Sequence, residues 1–126
     1  MASSVREMLA EANAAVPQLN PAEVRDMIGK ENVLIVDVRD APELAAGGKL
    51  ESGISTSRGT PEFRADPESP YHDPAFQKDK TVLVYCGSGG RAALSGKTLR
   101  ELGYQSVYNG GGFKDLTDAG FDTEPA

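Results

Sequence analysis

The stretch Thr81-Val82-Leu83-Val84-Tyr85-Cys86-Gly87-Ser88-Gly89-Gly90-Arg91 decides how the rest of this chain is read. Its first five residues are β-branched, leucine or tyrosine, which suits a strand buried on both faces of a parallel sheet. The run leads into Cys86 and a glycine-rich turn, and a helix follows from about Arg91 to Leu102. On that helix Ala92, Ser95, Gly96 and Leu99 share one face, small enough to lie close on a sheet, and Gly103 closes it.

The flanking sequence repeats the alternation. Val33-Leu34-Ile35-Val36 is a second buried strand, running into Asp37-Val38-Arg39-Asp40. Asp40 can cap a short helix through Pro42, Glu43 and Leu44, stopped by Gly47-Gly48. Upstream, Asn20-Pro21-Ala22-Glu23 reads as a helix start, with an Asn cap, Pro at the first position and Glu at the third. Val24, Met27 and Ile28 supply its apolar face, and Gly29 ends it. Val5, Met8, Leu9 and Ala12 recur at i, i+3, i+4, i+7, an amphipathic helix ahead of the compact pattern that offers a docking or dimer contact. Ser106-Val107-Tyr108 makes a further short strand, and Gly110-Gly111-Gly112 turns into a last helix near Phe113 to Ala119. The stretch from about Arg58 to Lys80, with Pro61, Pro67, Pro70 and Pro74, reads as irregular. Strands alternating with helices indicate an α/β domain with a mainly parallel sheet.

Composition bounds the function. A chain of 126 residues suits one domain and can bury a core without disulfides or metal. A formal net charge of −6 argues against a nucleic-acid partner, and any anion site must be built locally against the overall field. One cysteine cannot form an internal disulfide, so the fold does not depend on an oxidising compartment. No apolar run approaches the roughly 20 residues of a membrane span. The N-terminal residues are too charged for a secretory segment, so the expected location is cytoplasmic, with no membrane partner.

In open parallel sheets, ligands collect beyond the carboxyl ends of the strands, where Cys86 sits. Gly87, Gly89 and Gly90 let the backbone curl so that successive N–H groups point inward as an anion nest. The helix N-terminus adds positive potential at the same point, and Arg91 adds a cation. Each effect favours a thiolate over a thiol. A lone cysteine after an apolar strand is most often an inert buried residue. The conjunction of strand, Cys, glycine loop, Arg and helix points instead to a nucleophile. His72, the single histidine, has no ligand set at metal spacing and reads as a loop residue, so no metal and no organic cofactor is expected.

The loop Cys86-Gly87-Ser88-Gly89-Gly90-Arg91 resembles the Cys-x-x-x-x-Arg active loop of the rhodanese homology domain. The resemblance runs from about Asn20 to Phe121 and includes Asp37-Val38-Arg39, similar to the family's Asp-x-Arg, the Pro42-Glu43 helix, and Gly111-Gly112-Phe113. It implies a three-layer α/β/α fold around a mainly parallel five-stranded sheet. Residues 1–19 are then an N-terminal helical extension and residues 20–126 the rhodanese-like domain. Cdc25-type phosphatases and arsenate reductases share the fold but carry one more loop residue and usually His before Cys; here the spacing is shorter and Tyr85 precedes Cys86.

Within the family the chain looks most like single-domain polysulfide sulfurtransferases, through Arg39, Arg58-Gly59 and Gly89-Gly90-Arg91-Ala92. The resemblance implies sulfur transfer through a Cys86 persulfide held by Gly87, Ser88, Gly89, Gly90 and Arg91. Arg39, Arg58 and Arg91 would form a positive rim for an anionic donor, polysulfide or thiosulfate. The acceptor would be cyanide, a thiol or a protein cysteine, and the protein itself a homodimer. The alternative is a non-catalytic rhodanese module acting as sulfur carrier or regulatory adaptor. Asp37 is expected to be a structural hydrogen-bonding residue under the site. The chain departs from the family pattern at Gly48-Lys49-Leu50-Glu51-Ser52-Gly53, Thr56-Ser57, Gly110 and Leu116.

Overall fold

The computed structural model describes residues 3–30 and 32–126; Met1 and Ala2 of the extension lie outside them. Helices α1 (Val5–Ala15) and α2 (Pro21–Ile28) precede strand β1 (Val33–Asp37) and helix α3 (Ala41–Gly47). Short strands β2 (Lys49–Leu50) and β3 (Ile54–Ser55) and helix α4 (Pro61–Ala65) follow. The second half runs β4 (Thr81–Cys86), α5 (Gly90–Glu101), β5 (Val107–Gly112), α6 (Phe113–Asp118) and β6 (Thr123–Glu124).

The central sheet has the order β3-β1-β4-β5, parallel throughout. Among the described residues the sheet therefore has four strands and not the five expected; residues 17–19 run beside β5 without forming a strand and make a single bridge to it. Gln18 bridges Asn109 in parallel, the Leu19 amide donates to Asn109 O, and the Asn109 amide donates to Pro17 O, each at 2.9 Å. Pro17 has no N–H, which shortens what that edge can pair. Strands β2 and β6 form a separate antiparallel ribbon, Lys49 opposite Glu124 and Leu50 opposite Thr123, which local pattern did not reveal.

Side chains alternate across the sheet and build two cores. Leu34, Val36, Val38, Val82, Val84 and Cys86 pack on one face with Ala92, Leu99, Tyr104 and Val16. Ile35, Leu83 and Tyr85 pack on the other with Val24, Leu50 and Leu116. Helix α2 starts at the expected capping box, Asn20 Oδ1 and Glu23 Oε1 exchanging 2.9 Å hydrogen bonds with each other's amides.

Helix α1 is packed on α5 within the same unit rather than held out as a docking arm. Val16, directly after it, is fully buried, and a Cβ on Gly96 would stand 2.9 Å from a Val16 methyl. Its first turns still expose Val5 (68%) and Met8 (45%). The stretch expected to be irregular contains α4 and is pinned from inside. The Tyr104 hydroxyl donates to Ala65 O at 2.7 Å, and Phe76 meets the Tyr104 ring edge-on.

The three glycines at 110–112 finish β5 instead of turning away from it. Val84 pairs Asn109 while Cys86 pairs Gly112, so β5 carries one extra residue there. This bulge puts Gly111 at φ +84°, which favours glycine, directly beside the cysteine loop.

Candidate active site

Strand β4 delivers Cys86 to the carboxyl edge of the sheet, and the chain reverses through Gly87-Ser88-Gly89 into α5. Gly89 has φ +105°, so its amide turns inward and donates to Cys86 Sγ at 2.9 Å. The Ala92 amide, in the first turn of α5, donates to the same sulfur at 3.4 Å. First-turn amides have no intrahelical acceptor, which leaves this end of α5 free to hold negative charge on sulfur. Cys86 is 1% exposed, whereas Gly87 and Ser88 at the loop tip are exposed.

Both flanks of the loop are tightly fitted. A Cβ on Gly112 would lie 2.6 Å from Gly87 O and 3.2 Å from Ser88 Cα, so β5 approaches the loop as only glycine permits. The buried Asn109 carboxamide donates to Gly89 O at 2.9 Å and accepts from the Gly111 amide at 2.8 Å. Asn109 was missed in the sequence, where it stood merely as the residue after a short strand. On the opposite flank, Arg91 makes a two-pronged ion pair with Glu43 on α3, at 2.6 and 2.8 Å, with Asp40 at 3.9 Å. The Arg91 hydrogen bonds hold the Glu43 carboxyl at about 2, well below its ordinary value, and Glu43 in turn holds the guanidinium charged. Glu43 was read only as part of a helix; its capping-box spacing from Asp40 is visible in sequence, its pairing across 48 residues is not.

The predicted arginine rim is not assembled as expected. Arg39 is 4% exposed and lies on the Tyr85 face of the sheet, opposite Cys86. Its backbone and guanidinium donate to the fully buried Asp37, its Nη2 donates to Gly48 O at 2.5 Å, and the guanidinium lies 3.9 Å over the Phe113 ring. It thus neutralises a buried carboxylate and has no face turned to a donor; Asp37 is the structural residue anticipated. Arg58 is half-buried, its amide donating to Val38 O. Its side chain lines a hollow of about 170 Å³ with Met8, Glu11, Leu94, Lys97 and Thr98 from α1 and α5. Arg91 alone lies against the loop, its Nη2 3.0 Å from where a Gly87 Cβ would be.

Tyr85 supports the site from below. Its hydroxyl accepts from the Leu50 amide at 2.9 Å, its ring stacks on Phe113, and burial pushes its phenol well up, so it stays neutral. Thr56, one of the departures from the family pattern, is buried beside Asp37, its amide donating to Asp37 O at 2.8 Å. His72 contacts Phe76 O within its loop. Among the described residues, no His, Cys, Asp or Glu cluster fits a metal ion, and no helix is long and apolar enough to cross a membrane.

A parallel α/β/α domain with one cysteine on a four-residue amide loop at the head of a helix defines a class of thiol-centred domains. The rhodanese-like domain family profile matches residues 20–119, and the chain belongs to that family. The 30 kDa polysulfide-sulfur transferase homodimer of Wolinella succinogenes is 30% identical with a TM-score of 0.72, over 92% of this chain and 83% of that one. A protein of unknown function from Rhodopseudomonas palustris, named a possible tyrosine phosphatase, is 38% identical with a TM-score of 0.89, over 98% and 96%. The tRNA uridine(34) hydroxylase of Bartonella quintana is 33% identical over 94 residues; they are 72% of this chain but 29% of that protein.

Proposed function

We propose that this protein transfers sulfane sulfur through a persulfide on Cys86. The observation that carries the reading is the pair of inward amides, Gly89 and Ala92, converging on Sγ at 2.9 and 3.4 Å. Cys86 thiolate attacks the outer sulfur of a donor such as thiosulfate or a polysulfide. A new S–S bond forms, the donor's S–S bond breaks, and its electron pair leaves with sulfite or the shortened polysulfide. The amides then hold the negative terminal sulfur, as charge-assisted donors do. Cyanide, a thiol or a protein cysteine attacks that sulfur and returns Cys86 as thiolate. The rhodanese-like family and the likeness to the Wolinella sulfur transferase support sulfur transfer; the choice of donor and acceptor is part of the proposal.

Intact mass after incubation with thiosulfate or polysulfide tests it. A gain of one sulfur atom, removed by cyanide and absent in Cys86→Ser, is expected. No adduct with any sulfane donor would leave the carrier or adaptor alternative ahead.

The name of the Rhodopseudomonas neighbour favours a second reading, phosphate-ester hydrolysis. Against it, the loop closes tightly enough for the Gly89 amide to reach Sγ, and the Arg91 fork is already filled by Glu43. Turnover of an aryl phosphate without sulfur loading would reverse the choice. The hydroxylases share only the rhodanese-like segment, and their tRNA chemistry is not proposed for this chain.

A further inference from the structure

The cation expected to receive an anionic donor is occupied. Arg91 presents its two-nitrogen edge to Glu43 at 2.6 and 2.8 Å, the geometry with which arginine grips a bound carboxylate or oxyanion. Glu43 therefore stands where a donor's anionic tail would sit. Asp40 adds a second negative charge 3.9 Å from the same guanidinium, so one positive charge faces two negative ones at the loop. Arg39 cannot make up the difference, being buried against Asp37. Glu43 is also open to displacement: its side chain is 37% exposed, and apart from Arg91 only the Asp40 amide, at the N-cap of α3, donates to it among the described residues.

We propose that Glu43 sets the charge selectivity of the Cys86 site, acting as a built-in anion on Arg91 that a donor must displace. The proposal rests on the sulfur-transfer reading and adds a substrate class to it. Donors of low charge, such as organic persulfides and trisulfides, reach Cys86 directly. Multiply charged anions such as thiosulfate reach it only by competing with Glu43.

Alkylation of Cys86, the only cysteine, by iodoacetamide and by iodoacetate compares a neutral and an anionic reagent of nearly equal shape. In Glu43→Gln the ratio of iodoacetate to iodoacetamide rates should rise about fivefold at low salt, the size of one partly exposed charge contact, and the gain should shrink as salt is added. Asp40→Asn should raise it less, because its contact is longer. The neutral reagent reports any general damage to the loop, since such damage moves both rates together. An unchanged or lowered ratio in Glu43→Gln overturns the proposal. The KM for thiosulfate should fall as the ratio rises. Wild-type protein that takes no cyanide-labile sulfur from any donor defeats the transfer reading instead, and the alkylation ratio still decides whether Glu43 controls anion access.

Discussion

The Asn109 carboxamide holds the carbonyl of Gly89 at 2.9 Å, and the amide of that same glycine points at Cys86 Sγ, also at 2.9 Å. One glycine is thus clamped from strand β5 while it serves the sulfur on the loop from β4. The backbone of Asn109 is itself tied to Pro17 and Leu19. The segment ahead of residue 20, outside the family match, therefore braces the residue that braces the loop.

Asn109→Ala should lower sulfur transfer by about tenfold to a hundredfold with little change in KM, the expected result of misplacing a reacting group slightly. It should also cost about 1–3 kcal/mol of stability, because two buried backbone groups lose their partner. Steady-state kinetics beside thermal unfolding separate the two effects. A variant that loses stability but keeps its turnover would make Asn109 a purely structural residue.

The cysteine loop, its strand and its helix were legible because their signals are local: an apolar run, a glycine cluster and a helical face within about twenty residues. Capping at Asn20 and the short α3 were legible for the same reason. The β2–β6 ribbon was not, since two-residue strands carry no periodicity and Leu50 pairs with Thr123 from the far end of the chain. The partners of the arginines were equally hidden. Arg39 looked like a rim residue until the fold buried it with Asp37 on the Tyr85 face of the sheet, away from Cys86, and Arg91 until α3 brought Glu43 across to it. Charge in a sequence has a sign and a position but no partner.

Gly112→Ala should disable the site without any demand on backbone conformation, because φ at Gly112 is an ordinary −101°. The added methyl meets Gly87 O at 2.6 Å, so the loop must shift away from β5. Overpacking of this kind costs about 1–3 kcal/mol, and Cys86 alkylation by a neutral reagent should slow with it. Gly59→Ala is the matched control, since an added Cβ there has nothing within 4 Å. Equal alkylation rates in the two variants would remove Gly112 from the description of the loop.

The Glu43–Arg91 pair also predicts a pH dependence. The Glu43 carboxyl is lowered from 4.5 to about 2 in the folded protein, chiefly by the Arg91 hydrogen bond. A depressed carboxylate contributes stability above its unfolded value and loses it as pH falls through the folded one. The window is therefore about pH 4.5 down to 2. Because the pair is more than a third exposed, the contribution should be below about 1 kcal/mol. Unfolding temperatures of wild type and Glu43→Gln should differ most near pH 6 and converge toward pH 2. A gap constant over that range would mean that the pair does not stabilise the fold.

Two arginines singled out together in the sequence should now behave differently. Arg39→Ala leaves Asp37, fully buried, as an unpaired carboxylate, and stranding one partner of a buried pair costs about 3–5 kcal/mol. Its defect should appear as a large fall in unfolding temperature, and activity should be lost with the fold instead of through KM. Asp37→Asn combined with Arg39→Ala should recover part of the loss, since the stranded charge is gone. Arg58→Ala should unfold close to wild type, because the residue is only half-buried and its backbone hydrogen bond to Val38 O survives the change. If Arg58 attracts the anionic donor, this variant raises the donor's KM and weakens the salt dependence of loading. Unchanged kinetics at every salt concentration would restrict Arg58 to the α1–α5 surface and leave Arg91 as the cation through which an anionic donor is recognised.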